Sequence, residues 1–208
     1  IRSLALSLKE NNAMSNANNP PAAAGWQTLS RRPLLDRAPW LTVWEEDVLL
    51  PSGYRIDGYV LAETRPYAMV FAVTQDGRVP LVRQYKHGPR ALALDLPAGY
   101  LDHADEEPLA CAQRELAEET GCVGGVWLPL GSFLLDSNRS RACAHLFLAT
   151  DVILAQEQHL DPSEQIAVEL LPIAQVIARA RRGEIASLSS MATIFLALDA
   201  LASAGGRP

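Results

Sequence analysis

Apolar positions show no recurring spacing at the start of the chain. Residues 1–25 place Asn11, Asn12, Asn16, Asn18 and Asn19 ahead of Pro20 and Pro21, a polar, low-complexity stretch that reads as a disordered tail with Met14 as a candidate start. Patterning begins near Trp26. Leu41 to Trp44 and Asp47 to Leu50 are β-prone, Pro51-Ser52-Gly53 has turn chemistry, and Tyr54 to Leu61 alternates in part. These features predict a β-hairpin or small sheet over 26–62. Tyr67 to Val73 is an apolar run closed by the hairpin turn Gln75-Asp76-Gly77-Arg78 and answered by Val79 to Arg83. Leu92 to Leu96 is a short strand that Pro97-Ala98-Gly99 breaks. Glu107-Pro108 opens a helix, with proline where its missing N–H costs nothing, and Gly121 closes it after Thr120. Strands follow over Val126 to Leu135, Ala144 to Ala149 and Ile166 to Leu171. Helical periodicity covers Ile173 to Arg182 and Ser189 to Ala202, with Gly183 between. Strands, one helix, more strands and then helices predict an α+β fold over 63–208, a mixed sheet with helices packed on it.

The helix after Pro108 carries the chemistry. Leu109, Ala112 and Leu116 form the expected core-facing stripe. Glu118 and Glu119 project about 60° to one side and about 40° to the other of Glu115, so the carboxylates share a face. Like charges three and four residues apart repel on a helix. On a helix rich in small apolar residues, and so covered on much of its circumference, such a cluster calls for a cation. Oxygen ligands select magnesium or manganese over zinc. The alternative is a solvated acidic face.

Composition narrows the choice. In 208 residues, 49% hydrophobic and 20% charged, there is material for one packed domain plus an appendage. No apolar run approaches the roughly 18 residues that a membrane span needs. The net charge of −6, from 24 acidic against 18 basic residues, argues against a general nucleic-acid binder. Cys111, Cys122 and Cys143 are odd in number and match no zinc spacing, which points to reduced thiols in the cytoplasm. Arg2 before Leu4 to Leu8 does not make a signal peptide. His87, His103, His145 and His159 show no metal-ligand spacing.

Gly99, Glu106, Arg114-Glu115-Leu116, Glu118-Glu119 and Gly121 resemble the Nudix box of Nudix hydrolases. Glu106 to Arg114 keeps the family's seven-residue gap. The gap from Gly99 to Glu106 holds six residues where the family has five, and Asp105 is the alternative acidic position. A loop absorbs an insertion more easily than a helix, which favours Glu106. Cys122 stands where the family has an aliphatic residue. Leu81-Val82-Arg83-Gln84-Tyr85-Lys86 followed by Leu96-Pro97-Ala98-Gly99 resembles the ADP-ribose pyrophosphatase branch, as does the front segment with Pro39-Trp40-Leu41. The proline that this branch commonly carries about sixteen residues beyond the box is missing from Leu135 to Arg141.

The resemblance implies an α/β/α sandwich with a mixed sheet, preceded by the N-terminal β segment as a dimerisation element. It also implies a magnesium-dependent hydrolase, manganese being possible in its place, that cleaves the pyrophosphate of a nucleotide-sugar into two monophosphates. Glu115, Glu118 and Glu119 with the Ala98 carbonyl would hold metal, and Arg114 would orient the carboxylates through Glu106. Glu164 corresponds to a catalytic loop glutamate of the family, or is an ordinary loop residue, and either it or a helix carboxylate such as Glu118 or Glu119 would take the proton of the attacking water. Lys86 would meet phosphate, or simply ends a strand. Trp40 and Tyr59 could stack on a base or serve as core or interface aromatics. Arg139 and Arg141 offer charge to a phosphate or an acidic group, or are a solvated loop pair. A non-catalytic nucleotide sensor on the same fold is the competing reading, but it has no need to keep every carboxylate of the box.

Overall fold

The computed structural model describes residues 25–102, 106–185 and 187–205. The expected tail over 1–25 therefore lies outside the described residues, apart from Gly25, and so does Asp105. The chain divides into two compact units, one of residues up to Pro66 with Leu134–Cys143, the other Tyr67–Phe133 with Ala144 onward.

The first unit is a three-stranded antiparallel sheet in the order β1 (Gln27–Arg37), β2 (Leu41–Leu49), β3 (Arg55–Glu63). Of the two expected forms, a hairpin or a small sheet, the small sheet is the one found. β1 pairs with β2 from Gln27↔Leu49 to Arg37↔Leu41 and is exposed along its whole length. Pro33 sits within it, as an edge strand permits. Val48 and Ala142 are the buried apolar residues of this unit among the described residues. Leu134–Cys143 joins β3, where the Ala62 N–H donates to the Arg139 carbonyl at 2.8 Å.

The second unit builds two cores on one sheet. β4 (Tyr67–Thr74) pairs in parallel with β10 (Cys143–Leu154) and antiparallel with β7 (Ala98–Tyr100). β8 (Cys122–Val123) and β9 (Val126–Leu134) also pair with β10. A second sheet runs β11 (Ile166–Pro172), β5 (Arg78–Lys86), β6 (Ala91–Asp95). Side chains alternate across a strand. Met69 and Phe71 of β4, with Leu146 and Leu148 of β10, therefore enter one core. That core also takes Val176 and Ala180 from α2 (Ile173–Arg181) and Ile194 and Ala197 from α3 (Leu188–Gly205). Ala68, Val70, Phe147 and Ala149 enter the opposite core, against α1 (Pro108–Thr120). Helices on both sides of strands make the α/β/α arrangement of an α+β domain.

α1 starts at Pro108 and ends where Gly121 turns left-handed at φ 71°, its N–H donating to the Ala117 carbonyl at 2.9 Å. Its buried stripe is Cys111, Ala112, Leu116, Glu119 and Thr120. Leu109, expected in that stripe, is 40% exposed, and Cys111 takes its place as a small hydrophobe.

Candidate active site

The pairing of β7 with β4 lays Ala98 and Gly99 against α1. The Ala98 N–H donates to Glu119 Oε2 at 2.9 Å. A Cβ on Gly99 would lie 1.9 Å from the Glu115 carboxyl carbon, so only glycine lets this carboxylate approach the strand. Arg114 gathers the remaining acids. Its Nη1 donates to Glu115 Oε1 at 2.7 Å and to Glu118 Oε2 at 3.0 Å, and its Nε donates to Glu106 Oε1 at 3.3 Å. Its Nη2 donates to the Tyr100 carbonyl at 3.2 Å, which ties the helix to β7. Glu106 in turn accepts from the Asp102 N–H at 2.6 Å.

Burial and crowding set the electrostatics. Glu119 is only 4% exposed, and burial, reinforced by the Glu115 and Glu164 charges, pushes its carboxyl up to about 8 against the Ala98 hydrogen bond and the Lys86 charge. Glu115 is pushed up to about 6, first by burial and then by Glu118 and Glu164, against the pull of Arg114. Glu164, on a loop, thus acts electrostatically on both carboxylates, and Lys86, at the end of β5, on Glu119. Burial pushes the Cys111 thiol up to about 12, which leaves it an inert packing group.

Among the described residues no three acidic, histidine or cysteine side chains converge as a preformed metal centre. The Arg114 guanidinium sits among them as counter-charge. The donor set nonetheless fits a hard divalent cation. It is all oxygen, and its most buried member, Glu119, is bonded by an amide N–H rather than by a guanidinium.

Trp40, Tyr59 and Arg139 belong to the other unit. Trp40 is 63% exposed in the turn before β2, with the Arg65 guanidinium 5.5 Å from its ring. Tyr59 is half-buried, packs edge-on to Trp26 and donates its hydroxyl to the Asn138 carbonyl, beside Arg139. A further residue carried no signal in the sequence. Gln158 donates through Nε2 to the Glu119 carbonyl at 2.5 Å and to the Ile166 carbonyl at 3.3 Å. An aperiodic polar loop gives no hint of such a bond.

Residues 63–190 match the NUDIX domain, and the chain belongs to this family as a Nudix hydrolase. It is 30% identical over 165 residues to the ADP-ribose pyrophosphatase of Mycobacterium tuberculosis, covering 78% of each chain. It is also 30% identical over 129 residues to the ADP-ribose pyrophosphatase of Bacillus subtilis, covering 62% of this chain and 69% of the relative. A methanol dehydrogenase activator from Bacillus methanolicus is 31% identical over 106 residues, half of this chain and 55% of that one. Among solved structures, an ADP compounds hydrolase superposes with a TM-score of 0.75 at 20% identity, covering 89% of this chain and 99% of its own, a likeness of fold. The enzymes of this family work with divalent cations.

Proposed function

We propose that this protein hydrolyses, with magnesium, the pyrophosphate bond of a nucleoside diphosphate linked to a sugar, ADP-ribose or a close relative, and releases two monophosphates. The observation that carries the reading is the excess of buried carboxylate on α1, packed against β7. The two ADP-ribose pyrophosphatases among its relatives support the substrate class.

Glu115, Glu118 and Glu119, with the Ala98 carbonyl, would hold the cation. When bound, it neutralises the pyrophosphate and makes a nucleophile of water. Arg114 keeps Glu115 and Glu118 turned to the site and Glu106 keeps Arg114 in place. Glu164, half-buried on its loop, takes the proton of the attacking water. Lys86 meets a phosphate, Trp40 and Tyr59 meet the base, and Arg139 meets the polar end of the substrate.

The first unit supports a homodimer. It buries little apolar surface of its own, while Leu29, Leu34 and Leu35 on β1 are exposed, and a small sheet needs a packed face. We assign residues 26–62 to dimerisation and 63–208 to the hydrolase domain. No described helix is long and apolar enough to cross a membrane. The free cysteines support a cytoplasmic setting.

A panel of nucleotide-sugars with magnesium, read as phosphate freed by a phosphatase, tests the reaction. Turnover of ADP-ribose above that of every deoxynucleoside triphosphate is expected. Light scattering of the full chain tests the dimer, and a monomer at micromolar concentration would contradict it.

A further inference from the structure

The last carbonyls of a helix have no partner within it. In α1 they are taken up by the segment that follows β10. The Ala155 and Gln156 N–H groups donate to the Gly121 carbonyl at 3.1 and 3.3 Å, and the His159 N–H donates to the Glu118 carbonyl at 2.9 Å. Gln158 adds a side-chain bridge. One amide nitrogen bonds the backbone carbonyl of Glu119, on the carboxylate helix, and that of Ile166, the first residue of β11. Glu164 lies within the segment from 158 to 166 that the second of these bonds closes. Its loop is closed further by the Asp161 N–H, which donates to Glu164 Oε2 at 3.2 Å, and by the Glu164 N–H, which donates to the Asp161 carbonyl at 2.8 Å. The chain from 158 to 166 is thus a loop pinned at both ends to one side-chain amide.

We propose that Gln158 is a positioning residue that fixes the Glu164 loop to the end of the carboxylate helix, so that Glu164 is held at the site. The inference rests on the reading of Glu164 as the group that accepts the proton. Gln158 needs no contact with substrate. Its work is done through two backbone carbonyls, and a small displacement of a catalytic group is costly. The bridge needs a donor with the reach of glutamine. Gln158→Glu keeps the length but sets acceptors against acceptors, and Gln158→Met keeps the bulk with no donor.

The test is a double-mutant cycle on ADP-ribose with magnesium, using Gln158→Ala, Glu164→Gln and the pair, with Gln158→Met in place of alanine should the latter fail to fold. Gln158→Ala is expected to lower kcat about tenfold or more with KM changed less than about twofold, because only the transition state needs the fixed loop. Glu164→Gln is expected to lower kcat about a hundredfold or more, and the pair no further than Glu164→Gln alone, since residues acting as a unit are not additive. Gln158→Glu should be as impaired as Gln158→Ala. Losses that multiply in the pair, or full activity of Gln158→Ala and Gln158→Glu, would overturn the proposal while leaving Glu164 in its role. An unimpaired Glu164→Gln would instead remove the proton-accepting role, and the positioning role with it.

Discussion

Acidic residues lie beside arginines in both units, and the two units balance them differently. In the first unit the charges balance, with seven arginines against seven acidic side chains among its described residues. Arg32 meets Glu45, Arg55 meets Asp47 and Asp57, and Arg31 lies within 3.6 Å of Glu46 and 3.2 Å of Glu63. On α1 a single arginine faces Glu106, Glu115 and Glu118, while Glu119 is buried with an amide N–H for its partner. Matched surface pairs are close to neutral for stability and carry no demand for a ligand. A buried excess of one sign costs the folded state, and a cation that binds there repays the cost. On the function proposed above, the contrast separates charge that serves the fold from charge that serves chemistry.

The largest effect expected is that of Glu119→Gln. It keeps size and removes a carboxylate that a bound cation would keep ionised, and kcat should fall by about a hundredfold to a thousandfold, as for the loss of a main electrostatic contact. Stability should move the other way. Glu119 binds its proton up to about pH 8 when folded but releases it near 4.5 when unfolded. The folded state therefore holds more protons across that window, and the metal-free protein should lose stability as pH rises through it. Glu115 adds the same trend up to about 6. Thermal melting in a chelator from pH 5 to 8 should show a falling Tm that is flatter in Glu119→Gln. A Tm that rises across this range in wild type would contradict the buried excess.

Gly99→Ala should come next. Its Cβ would meet the Glu115 carboxylate at 1.9 Å, and a displacement of that scale costs up to about a hundredfold in kcat. More magnesium should be needed for half-maximal rate. An unchanged magnesium requirement would remove Glu115 from the metal site.

Trp40→Ala carries the comparison into the other unit. It should weaken ADP-ribose binding by about 1–3 kcal/mol, the worth of a base stacked on an aromatic ring, and leave the magnesium requirement unchanged. An unaltered KM would remove Trp40 from substrate recognition. The smallest effect belongs to Arg32→Ala, which breaks an exposed pair with Glu45. Its Tm should stay within about 2 °C of wild type and its kcat should not move. A larger loss would show that the sheet's charges do more than balance one another.

Much of this organisation was legible in the sequence because it is local. β4 announces itself as an apolar run, and α1 is marked at its ends by Pro108 and Gly121 and along its face by the glutamate spacing. Arg114 meets Glu115 and Glu118 because helical neighbours one and four residues apart lie within its reach. Other features depend on partners distant in the chain. β1 has no buried face and so no alternation to read, and it is a strand through its pairing with β2. β7 reads as a break in the sequence, yet Ala98 to Tyr100 pair with β4 and carry the amide that reaches Glu119. The phase of α1 departs from the expected stripe at Leu109, because a cysteine, not the leucine, faces the core. The bond of Gln158 to the Glu119 carbonyl spans 39 positions, beyond any local pattern.

On the proposed function, Glu115, Glu118 and Glu119 of α1 form a divalent-cation centre that hydrolyses a nucleotide-sugar. Initial rates on ADP-ribose against magnesium concentration, for wild type and Glu119→Gln side by side, test it most directly. Saturable, magnesium-dependent release of AMP and ribose 5-phosphate is expected of wild type, abolished by chelator and lowered by about a hundredfold or more in the variant. Turnover that persists in chelator, or equal rates for the two proteins at saturating magnesium, would contradict it.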